Sequence, residues 1–412
     1  MVGTTRCLLV FSIAVLMLHG EVLSEPVPGD VFREYMWYNK DGDAGEALRV
    51  GGKLGYKGRV TLEHDLDLEH AIKAAVVIEK ILCHDGTKGL AIQINDNDWL
   101  EIPEAPRIPY PQWEYQHHIY PIVHVPLSFL RSGAGNSFQM KVSPKHSWKW
   151  PQNLINGVHF RIYYDPEKKA HPTGKITSLK SADTIGLKTQ LHVKARSPNG
   201  KIKQVDYVGH YYDANFKGDG NYRQWHYHFF HGKIMHHLGS ATTDPYSVTW
   251  DTSWVPDQKE PMQIAARIID EIGMIYMTET VADLRLARPG ISVELCKPYN
   301  VPERWVTRAG DKQENFDVTG DLNKAVAAQL VWVSWSPGYL NGIYINDRKV
   351  FDREGPKYQY YAHRVAIEDL SCLKHGVNVL KTAMTPKIDG RTVHGMEVNW
   401  PGIMVLIQYK DD

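Results

Sequence analysis

Along most of the chain, short apolar runs alternate with polar positions and close on Gly, Pro, Asn or Asp, the period-2 pattern of half-buried strands. Helical periodicity is scarce. Its best stretch, Glu69 to Ile81, turns β-branched in its second half and ends in Leu-Cys-His-Asp-Gly, so it reads as a strand. One set of blocks occurs twice, in the same order. Gly89-Leu-Ala-Ile-Gln-Ile-Asn95-Asp96 returns as Asn341-Gly-Ile-Tyr-Ile-Asn346-Asp347, and Tyr115-Gln-His-His as Tyr360-Tyr-Ala-His363. Pro126-Leu-Ser-Phe-Leu-Arg131-Ser-Gly133 returns as Asp369-Leu-Ser-Cys-Leu-Lys374-His-Gly376, and the strand from Asn156 to Asp165 as that from Pro401 to Lys410.

These patterns predict an all-β chain in three units. An eight-stranded jelly roll over 28–165 is repeated over 289–412, and the segment 166–288 between them reads as about seven strands of an immunoglobulin-like sandwich. Ahead of them, Arg6 and the apolar run Cys7 to Leu18 read as a secretory signal over 1–24, with Val22 and Ser24 before a cut at Glu25. No later run is long enough to span a bilayer, so the mature chain is expected outside the cytoplasm, secreted, periplasmic or at the cell surface.

Composition narrows the chemistry. Lys plus Arg and Asp plus Glu are both 47, which argues against nucleic acid or an anionic membrane as partner. Past the signal, Cys83, Cys296 and Cys372 are too few for a disulfide scaffold; Cys296 and Cys372 either pair or stay reduced. There is no Asn-x-Ser/Thr sequon, which favours a bacterial secreted protein. Twelve Trp and twenty-two Tyr exceed what cores alone require.

The turn Ile-Gln-Ile-Asn95-Asp96, its twin Ile-Tyr-Ile-Asn346-Asp347, and Leu-Lys374-His-Gly376-Val-Asn378-Val-Leu resemble galactose-binding-like jelly rolls found beside the catalytic domains of secreted glycan-active proteins. The middle segment is similar to immunoglobulin- or fibronectin-like spacers of polysaccharide-degrading systems. The resemblance implies an extracellular carbohydrate ligand and polysaccharide-degrading enzymes of the same system as partners. The first copy departs from the pattern, with an extra residue in Arg131-Ser-Gly-Ala-Gly135-Asn136 and a Pro-rich insert from Glu101 to Gln112.

Four constellations could carry chemistry. Trp99, Trp113, Tyr115, Trp148 and Trp150 lie in or beside turn-rich segments of the first copy; indoles stack on the C–H face of sugars, and Asp96 and Glu101 could bond hydroxyls. The same rings could equally pack the sandwich rim. Asp213, Asn215 and Asp219 place oxygen ligands at alternate positions of a Gly-rich loop, which suits Ca²⁺ but fails the EF-hand pattern. His226 and His228 share a face if extended, and a transition metal could bridge them to His237. Acidic residues such as Glu63, Asp67, Glu69 and Glu104 could supply a glycosidase pair, although such alternation also describes a solvated face. No nucleophile elbow, phosphate loop or zincin motif is present. The reading reached is a secreted carbohydrate-binding protein without catalysis of its own and without an obligate cofactor, acting through the first copy, the second being more structural. The alternatives are a glycan-active hydrolase or lyase, or a His-metal enzyme, with its site between domains, and a structural or adhesive surface protein.

Overall fold

The structure, a computed structural model, describes residues 26–38, 48–51, 58–83, 89–103, 120–144, 153–214, 225–302, 304–399 and 402–411. The signal segment lies outside them. Among the described residues the chain is all-β, with only single 3-10 turns between strands, and no helix is long and apolar enough to cross a membrane.

Strand order repeats as the blocks do. In the N-terminal unit one sheet runs Val31–Tyr38, Asn153–Tyr164, Ala71–Cys83, Ile122–Val125, and the facing sheet runs Val60–Thr61, Ser137–Lys141, Ala91–Ile94, Trp99–Glu101. In the C-terminal unit the first order returns as Ile291–Cys296, Met404–Lys410, Ala325–Trp335, Tyr360–Ala366. The second returns as Lys312–Val318, Gly376–Thr382, Ile343–Ile345, Arg348–Phe351, with Pro298–Tyr299 added at its edge. Each pair of sheets encloses its own apolar core, around Ile92, Phe138 and Phe160 in one and Leu330, Trp332 and Leu380 in the other. Glu69 to Ile81, with its ambiguous periodicity, falls largely on the Ala71–Cys83 strand.

The middle segment packs a separate core around Tyr207, Ile264 and Leu284. It is nevertheless continuous with the N-terminal unit. Val31–Tyr38 pairs on one side with Asn153–Tyr164 and on the other with Met274–Met277, so one eleven-stranded sheet runs through both units. Pairing there satisfies backbone N–H and C=O groups that an edge strand would leave open. The second face of this shared sheet is clothed by the segment after residue 224. There Trp225 packs among Phe32, Tyr163, Ala265 and Met277, and its Nε1 donates to the carbonyl of Pro26 at 2.8 Å.

Four buried charges cross that face in a line. Glu34 stands opposite Arg161 in the strand register, and Asp206 opposite Arg267. Arg161 Nη2 donates to Glu34 Oε1 at 2.8 Å, Arg267 Nη2 to Glu34 Oε2 at 2.6 Å, and Arg267 Nη1 to Asp206 Oδ2 at 3.3 Å. Burial alone would raise the Glu34 pKa, but Arg267 and Arg161 outweigh it and hold the carboxyl at about 2.

Candidate functional site

The outward face of the sheet Val60–Thr61, Ser137–Lys141, Ala91–Ile94, Trp99–Glu101 brings together Trp99 and Glu101, two of the sequence-predicted residues. Ile92, Ile94, Phe138 and Met140 turn into the core, so strand alternation sends Gln93, Gln139 and Lys141 the other way. Trp99 stands opposite Gln93, which stands opposite Gln139 in turn; Glu101 and Lys141 both stand opposite Ala91. Gln139 Nε2 donates to Gln93 Oε1, and Gln93 Nε2 to the carbonyl of Asn97 at 2.7 Å, so both amides are held in place. The Lys141 ammonium lies 4.1 Å from the centre of the Trp99 ring. The half-buried indole is therefore flanked by two amides, a carboxylate and an ammonium.

The other residues predicted from sequence divide. Asp96 sits on the turn at the end of this face, exposed, and is paired with Arg59 Nη2 at 3.0 Å and Arg131 Nη2 at 3.7 Å. Trp113, Tyr115, Trp148 and Trp150 lie outside the described residues, as do Asn215 and Asp219. Of the calcium loop only Asp213 is described. It is buried, its Oδ1 accepts from the N–H of Ala214 at 2.7 Å, and burial pushes its pKa up to about 6. Its Oδ2 stands 3.7 Å from Nε2 of His226.

The histidines part company. His226 sets its ring edge-on to Tyr211, His228 meets His236 with Nδ1 atoms 3.3 Å apart, and His237 Nε2 bonds Ser240 Oγ at 2.7 Å. The shared face expected of His226 and His228 requires an extended run, but the strand begins only at His228, and Tyr227 N–H turns back to the carbonyl of Trp225. Among the described residues no group of three or more His, Cys, Asp or Glu could hold a metal ion. Of the paired-carboxylate candidates, Asp67 and Glu69 both bond Lys169 Nζ, at 2.7 and 3.3 Å, and are thereby tied into one ion-pair cluster.

The motifs that carried the family resemblance have a mechanical role. Asn95 and Asn346 adopt left-handed backbone at φ 53° and 48°, and each carboxamide bonds a second buried asparagine, Asn136 or Asn378, that staples the following turn.

No family model matches this chain, and no curated protein matches it. Among solved structures it is similar to BuGH86 in complex with neoagarooctaose at 9% identity and TM-score 0.24, covering 63% of this chain and 36% of that one. A DUF4785 family protein from Legionella pneumophila matches at 13% identity and TM-score 0.26, over 94% of this chain and 85% of that one. Fibronectin(III)-like modules of CbhA from Clostridium thermocellum match at 11% identity and TM-score 0.20, over 61% and 94%. Glycoside hydrolases and fibronectin-like modules thus stand among its structural neighbours, at scores too low to assign a fold family or an activity. The chain spans about a third of the glycoside hydrolase it covers at 36%.

Proposed function

We propose that this protein binds extracellular carbohydrate without transforming it, through the outward sheet face centred on Trp99. The supporting observation is the grouping of one indole with Gln93, Gln139, Glu101 and Lys141 on adjacent strands. A pyranose ring offers an apolar C–H face to an indole and a rim of hydroxyls to amides and carboxylates. Strand-borne side chains lose little freedom on binding, and the bond from Gln139 to Gln93 fixes two of them in advance. In this reading the protein works outside the cytoplasm, beside enzymes that degrade the same polysaccharide.

The test is retention of the full chain on a panel of soluble and insoluble polysaccharides, followed by titration of whichever is retained. Trp99→Ala is expected to weaken binding about tenfold, the equivalent of about 1.4 kcal/mol, with an unchanged melting temperature. Equal binding by the native chain and a folded Trp99→Ala variant would remove the site from this face.

A further inference from the structure

The loop end of the C-terminal unit holds an arrangement absent from the sequence reading. Tyr339, on the 3-10 turn Pro337–Tyr339, donates its hydroxyl to that of Tyr358 at 3.0 Å, and the two rings meet edge to face. The imidazole of His394 stands 5.6 Å from the Tyr358 ring and lies nearly parallel to Tyr339. Lys357 Nζ lies 5.0 Å from the centre of the Tyr339 ring. Beneath them Arg308 Nε donates to the carbonyl of His394 at 2.8 Å and its Nη2 stands 3.6 Å from the buried Glu397.

Tyr358 is held at φ 58°, in left-handed backbone that a bulky residue adopts at a cost, yet 49% of it is exposed. About half of the residue stays open to solvent, so its contacts with Tyr339 and His394 offset that cost only in part. The conformation is imposed from below. Ser336, itself left-handed at φ 55°, accepts the N–H of Tyr358 on its Oγ at 2.8 Å, and its own N–H bonds the carbonyl of Gln359. Gly355 packs so tightly on Pro337 that a Cβ there would fall 2.5 Å from the proline ring. The loop thus carries an aromatic ring outward at its own expense, the pattern expected where a ligand and not the core uses the ring.

Charge selects the ligand. Burial pushes the Glu397 pKa up to about 8 against the pull of Arg308 and Arg304, so at neutral pH it adds little negative charge beside Arg308 and Lys357. We propose that this loop end is a second saccharide site, selective for an anionic sugar that stacks on Tyr358 and sets its carboxylate or sulfate against Arg308 and Lys357. It rests on the reading of the chain as a glycan binder and extends it to the second copy, expected from sequence to be the more structural one.

The experiment titrates the full chain calorimetrically with three oligosaccharides of equal length: an oligogalacturonate, a sulfated oligosaccharide and a neutral one. The expected result is binding of at least one anionic probe at least tenfold tighter than the neutral one, weakening as salt rises. Tyr358→Gly, which removes both ring and strain, should weaken that probe about tenfold while leaving the melting temperature equal or higher. Arg308→Gln should abolish the preference for charge. Trp99→Ala should leave this affinity unchanged, so loss of the Trp99 site alone and loss of this site alone give different patterns. Unchanged affinity in Tyr358→Gly, a drop in its melting temperature without loss of binding, or equal affinity for neutral and anionic probes each overturns the proposal.

Discussion

Asn346 donates a carboxamide proton to Oδ1 of Asn378 at 2.7 Å, and Asn95 does the same to Asn136 at 3.2 Å in the other copy. The match extends to every arm of the motif. Asn346 Oδ1 receives the N–H of Val379 as Asn95 Oδ1 receives that of Ser137. Asn378 closes its turn on the N–H and carbonyl of Lys374, as Asn136 does on those of Arg131, and the turn glycines Gly376 and Gly133 take φ 79° and 84°. Asn95, Asn136 and Asn378 are buried and Asn346 is partly so, so removing Asn136 or Asn378 strands several polar groups. Asn378→Ala and Asn136→Ala are each expected to cost about 3 kcal/mol in urea unfolding. A cost below about 1 kcal/mol in both would show that the staple is dispensable.

The link between the N-terminal and middle units offers a second measurement. Glu34 lies in the first and Arg267 in the second, with a 2.6 Å bond between them at nearly zero exposure. Glu34→Gln removes the carboxylate that Arg161 and Arg267 share, leaving Asp206 as the remaining acid bonded to Arg267, and is expected to cost about 3–5 kcal/mol. Because the pair bridges one continuous sheet, the native units should melt together and the variant should show a separate, earlier transition. A double-mutant cycle with Arg267→Met should return clear coupling; additive costs would contradict a direct interaction.

Stability should also respond to pH through Glu79. Its Oε1 accepts the N–H of His231 at 3.4 Å, while Oε2 has no hydrogen bond and lies where a Cβ on Gly157 would fall within 2.8 Å of it. Burial pushes its pKa up to about 8, the one backbone bond opposing weakly. An unfolded glutamate ionises near 4.5, so its contribution is whole below that pH and drains away as pH rises to about 8. Glu79→Gln should match the native protein near pH 4.5 and exceed it by about 1–3 kcal/mol at pH 8. His159 drives the acid limb in the opposite sense. Burial holds its pKa at about 4, so stability is lost as pH falls from about 6.5 toward 4. A Glu79→Gln variant weaker than native at pH 8 would reverse the assigned protonation state.

Which features were legible from sequence follows from what each one needs. The duplicated strand order could be seen because its turns demand Asn and Gly at fixed places, visible at Asn95, Asn346, Gly133 and Gly376. Trp99 and Glu101 could be put on one face by alternation alone. The sheet shared between units could not, since the partner of Val31 is Tyr276 and alternation never names a partner. Nothing in the sequence sets Glu34, Arg161, Asp206 and Arg267 apart from the solvent-facing charges of an ordinary alternating strand; the second layer contributed by Trp225 and its neighbours makes that face interior. The metal face at His226 and His228 assumed a strand two residues too early. Tyr358 carries no sequence mark, because its conformation is set by Ser336, twenty-two residues away.

The cysteines resolve the remaining alternative. Cys296 and Cys372 are both free thiols, each buried in the C-terminal core at 2% and 3% exposure. Burial pushes the Cys372 pKa up to about 11, with Asp369 adding to it, and drives that of Cys296 upward as well. At neutral pH neither is a thiolate, and neither can be reached by a reagent that attacks thiolates. Mass-spectrometric mapping after alkylation should therefore leave both peptides unmodified in the native protein and label both in guanidinium, while dithiothreitol leaves the melting temperature unchanged. Recovery of a linked peptide joining Cys296 to Cys372 would refute the reduced core. Rapid native labelling of Cys372 would show instead that the 3-10 turn Leu370–Cys372, which Asp369 caps through the N–H of Ser371, opens far more often than its packing implies.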